Sequence, residues 1–217
     1  MKLIASGVTV AHRQAAIQGI ARLRSLDLSK YNFHRPRLAA PPPGYVLVID
    51  QTRGDAAIRL GNASEATFRE MLLIAREENP GARIVLKTHP ESGAGYRPGH
   101  YTPEDAVGDV ALFDGPASPW ALLEGATSVY TVSSQMGFEA IFAGHKPRVF
   151  GQPFYAGWGL TRDLGPPCPR RRARPDLMGL AHAALIGWPR YFDPLTGRPC
   201  PPELVLDRLS AGITAHR

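Results

Sequence analysis

The sequence predicts an α/β protein built on one doubly wound parallel sheet, and three observations carry that expectation. Short apolar runs recur along the chain, helical patterns separate them, and each run ends in a polar, turn-rich segment. With 22 Gly and 21 Pro in 217 residues, about a fifth of the chain is of these two types against the usual ~12%, so loops take a large share. Hydrophobic residues make up 44% and charged residues 20%, which is too apolar for disorder. No apolar run approaches the ~20 residues of a membrane-spanning helix. The length suits one domain of ~100–200 residues with appendages.

Residues Ala15 to Leu28 place Ile17, Ile20, Leu23 and Leu26 at the spacing of one helix face. This amphipathic helix falls in residues 1–33, with nothing upstream to supply the surface it should pack against. Residues 34–44, with Pro36 and Pro41 to Pro43, read as a linker because proline lacks the amide donor. The sheet domain is expected over 45–165. Tyr45 to Asp50 is a continuous apolar run of the kind that a parallel strand covered on both faces requires. Ser64 caps a helix that carries Phe68, Met71, Leu72 and Ala75 and ends at Asn79-Pro80-Gly81. A second strand over Ala82 to Lys87 runs into Thr88-His89-Pro90. Val110 to Phe113 is a short third strand, Ser118-Pro119 opens a short helix, and Ser128 to Val132 is a fourth strand. Ser133-Ser134-Gln135 opens a helix through Phe142 that closes at Gly144, and Arg148 to Phe150 is a fifth strand. That alternation is the order of a Rossmann-like sheet. Residues 166–217 hold a basic Pro-rich loop and two helices, around Leu177 to Ile186 and Pro202 to Leu209.

Composition excludes several function classes. Cys168 and Cys200 lie far apart with no metal-ligand spacing around them, so no metal is expected. The early apolar stretch is interrupted by His12, Arg13 and Gln14 before a signal peptide could be completed, which reads as a cytoplasmic protein. The net charge of +6 is concentrated in Arg170, Arg171, Arg172 and Arg174. Such a cluster meets phosphates of nucleic acid, lipid or nucleotide, and the simpler reading is a solvated basic loop. No aromatics interleave with it, so a nucleic-acid partner is not expected.

In doubly wound sheets ligands bind beyond the carboxyl ends of the strands. The first strand delivers Gln51, Arg53 and Asp55, the second Lys87 and His89, the fourth Ser133, Ser134 and Gln135, and the fifth Tyr155 and Trp158. A helix amino end with hydroxyls binds phosphate or carboxylate, and Lys87 and His89 would neutralise the same anion. Each residue alone reads equally as a cap or a buried hydrogen-bonding side chain; jointly they favour an anion site, most simply a nucleotide phosphate. No Walker loop or Gly-x-Gly-x-x-Gly follows the first strand. Glu139 either reaches a ribose hydroxyl from the exposed side of its helix or is an ordinary solvated carboxylate. Tyr155 and Trp158, in the run Phe154 to Gly159, either stack on a sugar or base or anchor their loop. Asp50 and Asp55 are either acid-base groups or acceptors for loop amides.

The runs Thr131-Val-Ser-Ser-Gln-Met-Gly-Phe-Glu-Ala140 and Gly151-Gln-Pro-Phe-Tyr-Ala-Gly-Trp-Gly-Leu-Thr161 closely resemble the capsule polysaccharide biosynthesis and export proteins of the KpsC type. So do Val48-Ile-Asp-Gln-Thr-Arg-Gly-Asp55 and Lys87-Thr-His-Pro90 before them, and the likeness extends from Leu26 to the Tyr191-Phe-Asp-Pro-Leu-Thr-Gly197 tail. The resemblance implies a retaining β-Kdo glycosyltransferase of two-Rossmann-domain (GT-B) architecture. Such an enzyme uses CMP-Kdo as donor substrate, with no cofactor, to build the Kdo linker on a lipid acceptor. This chain would be its carboxyl-terminal, nucleotide-holding half. The family's His-Pro pair falls on His89-Pro90, its serine pair on Ser133-Ser134 and its helix glutamate on Glu139; Lys87 and Gln135 join these at the nucleotide. Gln51, Arg53, Asp55, Tyr155 and Trp158 are candidate donor-sugar or cleft contacts.

The family's amino-terminal Rossmann domain, which is expected to contribute the catalytic carboxylate, has no counterpart here, so no catalytic residue is assigned. The first helix looks like the last helix of that absent domain. The chain then reads as a fragment, a truncated product or half of a split enzyme. The partners implied are a CMP-sugar nucleotide, a lipid-linked acceptor held by another domain, and inner-membrane-associated capsule assembly proteins, with the chain peripheral to that membrane. A non-catalytic nucleotide-binding or docking module of the capsule machinery is the competing function.

Overall fold

The computed structural model describes residue 4 and residues 7–32 and 40–212, so most of the expected linker lies outside the described residues. The chain divides into two compact units, Phe33–Arg172 and a second made of Met1–Asn32 with Ala173–Arg217.

The larger unit holds six parallel strands in the order β3-β2-β1-β4-β5-β6. They are β1 (Tyr45–Ile49), β2 (Ile84–Lys87), β3 (Val110–Phe113), β4 (Ala126–Thr131), β5 (Arg148–Val149) and β6 (Arg162–Asp163). The chain runs outward from β1 to β3, then crosses to the other side of β1 and runs outward again. That reversal makes the gap between β1 and β4 the topological switch point, where ligands of such sheets bind.

Every residue of β1 is buried because helices cover both faces of the sheet. Val46 and Val48 meet Phe68, Met71, Leu72 and Ala75 of the helix Glu65–Glu78. On the opposite face Tyr45 donates its hydroxyl to the Leu122 carbonyl at 2.7 Å, in the helix Pro119–Gly125. Each large side chain buried in this way contributes roughly 1.5–3 kcal/mol. Ser118 accepts the Trp120 and Ala121 amides at 3.1 and 3.4 Å, and Pro119 fills the first turn, where no amide partner is needed.

The helices of the chain are numbered α1 (Val10–Ser25), α2 (Ala56–Leu60), α3 (Glu65–Glu78), α4 (Pro90–Gly93), α5 (Pro119–Gly125), α6 (Gln135–Phe142), α7 (Leu177–His182) and α8 (Pro202–Ser210). Neither α2 nor α4 is expected from the sequence, because one turn shows no apolar periodicity. Both are held by their caps: Asp55 Oδ1 accepts the Ala57 amide at 2.9 Å, and His89 Nδ1 accepts the Glu91 amide at 3.2 Å.

The second unit pairs α1 with α7, which continues into a wider turn over Ala183–Gly187, and adds α8 with the hairpin β7 (Tyr191–Phe192) and β8 (Pro199–Cys200). The His12 and His182 rings stack at 4.1 Å, Arg13 pairs with Asp176, and Arg22 pairs with Asp207. The carboxyl-terminal helices thus give α1 a surface to pack against. Ile20 of the expected stripe is buried and Leu23 and Leu26 are half-buried, while Ile17 is 47% exposed and Ala16 is buried in its stead. A small residue at 16 permits close helix approach, which the bulk of Ile17 would prevent.

Candidate functional site

Strands β2, β1 and β4 end level, with Ile49 in register with both Lys87 and Thr131. At ~4.8 Å per strand spacing, the ends of β2 and β4 stand about 10 Å apart with the end of β1 between them. The loops that follow these three strands line the crevice.

From β1, Asp50 turns inward rather than toward the crevice. It is 2% exposed and accepts the amides of Gln51 at 2.8 Å, His100 at 3.1 Å and Tyr101 at 3.3 Å. Burial raises its carboxyl to about 6, although the three amides and the Arg53 charge oppose that rise. Gln51 is also buried and reaches across to β4: its Oε1 accepts the Ser133 amide at 2.9 Å, and its Nε2 lies 3.1 Å from Ser133 Oγ and 3.3 Å from Asp55 Oδ2. Arg53 is exposed and pairs with Glu65 at 3.4 Å.

From β2, Lys87 donates to the Thr88 carbonyl at 2.9 Å and lies over the Phe113 ring. Burial lowers its pKa to about 8, with Asp114 opposing. His89 is half-buried, and because its Nδ1 accepts the Glu91 amide, the neutral ring carries its proton on Nε2 as a donor.

From β4, Ser133 and Ser134 have different duties. Ser133 is buried and its amide and hydroxyl are committed to Gln51. Ser134 is half-buried and caps α6, its Oγ accepting the Met136 amide at 3.3 Å. The amides of Ser134 and Gln135 are ones that no intrahelical carbonyl can reach. Gln135 is exposed. Glu139 is only 6% exposed, which corrects its expected place on an open helix side: α6 is buried along nearly its whole second half.

From β5, Tyr155 is fully buried and donates its hydroxyl to the Ser134 carbonyl at 2.5 Å. Trp158 is also buried and donates Nε1 to the Phe154 carbonyl at 2.7 Å. The Phe138 ring meets Phe154 at 4.8 Å and Tyr155 at 5.9 Å, so the aromatic loop packs on α6. Arg171 straps this loop from outside by donating to the carbonyls of Pro153, Ala156 and Gln152. One arginine of the basic cluster is thus structural.

Of the residues singled out from sequence, Lys87, His89, Ser134, Gln135, Arg53 and Asp55 keep some exposure in the loops that follow β1, β2 and β4. Gln51, Ser133, Tyr155, Trp158 and Glu139 are buried. Of the two readings the sequence leaves for Asp50, the structure shows the acceptor for loop amides, whereas Gly99 and the strap formed by Arg171 carry no sequence expectation because their partners lie in other loops. Among the described residues, no group of three or more His, Cys, Asp or Glu could hold a metal ion, and no helix is long and apolar enough to cross a membrane.

Residues 9–191 match the family model described as capsule polysaccharide biosynthesis protein. The chain belongs to this family. Among capsule polysaccharide biosynthesis relatives, the capsule polysaccharide modification protein LipA of Neisseria meningitidis serogroup B is 40% identical over 201 residues, covering 87% of this chain and 28% of LipA. Two solved structures of Thermosulfurimonas dismutans KpsC are also similar. The β-Kdo 2,4 transferase has a TM-score of 0.84 at 42% identity, covering 94% of this chain and 64% of that one. The β-Kdo 2,7 transferase has a TM-score of 0.73 at 28% identity, covering 96% and 65%. The chain spans less than a third of LipA and just under two thirds of either solved structure.

Proposed function

We propose that the chain is the donor-binding half of a retaining β-Kdo glycosyltransferase of GT-B architecture, acting in the CMP-Kdo-dependent building of the Kdo linker for the capsule. The observation that carries this reading is the 42% identity to a β-Kdo 2,4 transferase, supported by the level ends of β2, β1 and β4, which bring the Lys87-Thr88-His89 segment and the capped start of α6 to one edge of the sheet. When a Kdo residue leaves CMP, the bond between its anomeric carbon and the phosphate oxygen breaks and the phosphate gains negative charge. Lys87, the His89 Nε2–H and the amides of Ser134 and Gln135 are groups that stabilise such a charge. Arg53 and Asp55, in the loop after β1, are the groups this reading offers to the sugar. The acceptor, a lipid-linked glycan, would be held by another domain, and the assembly partners would be capsule proteins at the inner membrane, with the chain on its cytoplasmic side.

Calorimetric titration with CMP, UMP and AMP, followed by displacement with CMP-Kdo, tests the reading. CMP should bind, the other two should bind at least about tenfold more weakly, and CMP-Kdo should compete for the same site. Equal binding of all three nucleotides, or none of CMP, contradicts it.

A further inference from the structure

We infer that Asp50 is a positioning residue for His89: its buried carboxylate anchors the returning foot of the loop that carries the His89-Pro90 turn. This rests on the nucleotide-site reading above.

The loop leaves β2 at Lys87, forms α4, and comes back over the end of β1 at residues 97–101. Its returning foot is laced to β1's exit at several points. His100 donates its amide to both Asp50 oxygens at 3.1 Å and Tyr101 donates to Oδ2 at 3.3 Å. Arg53 donates its amide to the Pro98 carbonyl at 2.9 Å, and Thr52 and Gly99 form an antiparallel bridge. The His100 ring stacks on Phe68 at 3.7 Å and 4°, and Tyr101 donates its hydroxyl to the Phe68 carbonyl at 2.7 Å. Gly99 has no substitute here, because a Cβ at that position would stand 2.3 Å from Asp50 Oδ2. The carboxylate therefore packs directly against the loop backbone.

From this foot the backbone of residues 96–100 and three further hydrogen bonds lead to the histidine. Tyr96 and Arg97 both donate their amides to the Glu91 carbonyl, at 2.9 and 3.3 Å, and the Glu91 amide in turn holds His89 Nδ1 at 3.2 Å. Asp50 thus acts on the ring through residues 96–100 and Glu91. At 2% exposure it is too enclosed to meet a ligand itself. A carboxylate is kept in so dry a place only where several N–H groups converge on it.

The test is a double-mutant cycle on the full 217-residue chain, with CMP as the probe. Asp50→Ala should weaken CMP binding about tenfold, and in an Asp50→Ala background the further loss on His89→Ala should be under about twofold, because the ring is already misplaced. An Asp50→Ala affinity within twofold of the parent, or losses that simply multiply, overturns the inference. If Asp50→Ala does not fold cooperatively, Asp50→Asn, which keeps one acceptor oxygen at the same place, goes through the same cycle, and the same two results would overturn the inference.

Hydrogen exchange on the chain without nucleotide gives a second readout. Asp50→Asn should speed exchange of the Glu91, Tyr96 and Arg97 amides at least about tenfold while Leu47 and Leu86 in the sheet stay unchanged. Equal exchange in all of them overturns the brace. Should the parent chain not bind CMP, the nucleotide reading fails, and this exchange result still decides the role of Asp50.

Discussion

Gln51 and Ser133, which follow β1 and β4, are joined by a buried side-chain amide that accepts the Ser133 backbone N–H at 2.9 Å and lies 3.1 Å from its hydroxyl. The two loops flanking the switch point are therefore fixed to each other before any ligand arrives. Preorganisation of this kind lowers the ordering cost of binding. It also divides the serine pair: Ser133 is bound to Gln51, while Ser134 caps α6.

Replacing Gln51 with alanine should strand the Ser133 amide in a buried place. The expected loss is about 1–3 kcal/mol of folding stability, the cost of an unsatisfied buried donor. Urea denaturation of Gln51→Ala against the parent chain measures it; a change under about 0.5 kcal/mol would mean that water replaces the amide without penalty.

The proposed nucleotide site predicts a pH dependence set by Lys87. Its pKa in the unliganded protein is lowered to about 8 by burial, and a bound phosphate favours the charged form, so binding raises that pKa. Affinity for CMP should be highest near pH 7 and fall as the pH rises through about 8, since the neutral amine must then take up a proton on binding. Lys87→Met should bind more weakly and lose the alkaline fall.

Gly137 sits against the aromatic loop. A Cβ there would lie 2.3 Å from the Tyr155 hydroxyl and 2.7 Å from Thr131 Cγ2. Gly137→Ala should destabilise by about 1–3 kcal/mol through overpacking, which thermal unfolding will register as a drop of several degrees. Tyr155→Phe in the same chain removes the nearer obstacle and should recover part of the loss.

At the far side of α3, Glu78 accepts the Tyr130 hydroxyl at 2.6 Å and pairs with Arg148 and with Arg162 at 2.9 Å. Burial alone would raise its carboxyl, but Tyr130 and the two guanidiniums together hold it below its ordinary value. A folded pKa below the unfolded one gives stability that is present above the unfolded value and is lost as pH falls through the folded one. The melting temperature should therefore drop more steeply on acidification in the parent than in Glu78→Gln, as calorimetry between roughly pH 6 and 3 would show.

Much of the sheet is legible in sequence because its strands are buried on both faces. Tyr45–Ile49 can be nothing but an interior strand, and Ser118-Pro119 and Ser134 announce helix starts through local chemistry. What escapes is whatever depends on distant partners. Gln51 meets Ser133 across 82 positions of sequence, and Asp50 meets Tyr101 across 51, so neither pairing leaves a local signature. Arg171 looks like its neighbours in the basic cluster until the carbonyls of the 152–156 loop are seen around it. Tyr155 and Glu139 sit in motifs that suggest ligand contact, and the packing of the aromatic loop on α6 is what encloses them.

Calorimetric titration of CMP into His89→Ala and Ser134→Ala bears most directly on whether the β1/β4 crevice holds the donor nucleotide. Each substitution should weaken binding by roughly 1–3 kcal/mol, the cost of losing a hydrogen bond to a charged group, while the lost helix cap lowers the melting temperature by only a few degrees and leaves unfolding cooperative. CMP affinity unchanged in both would contradict the nucleotide site.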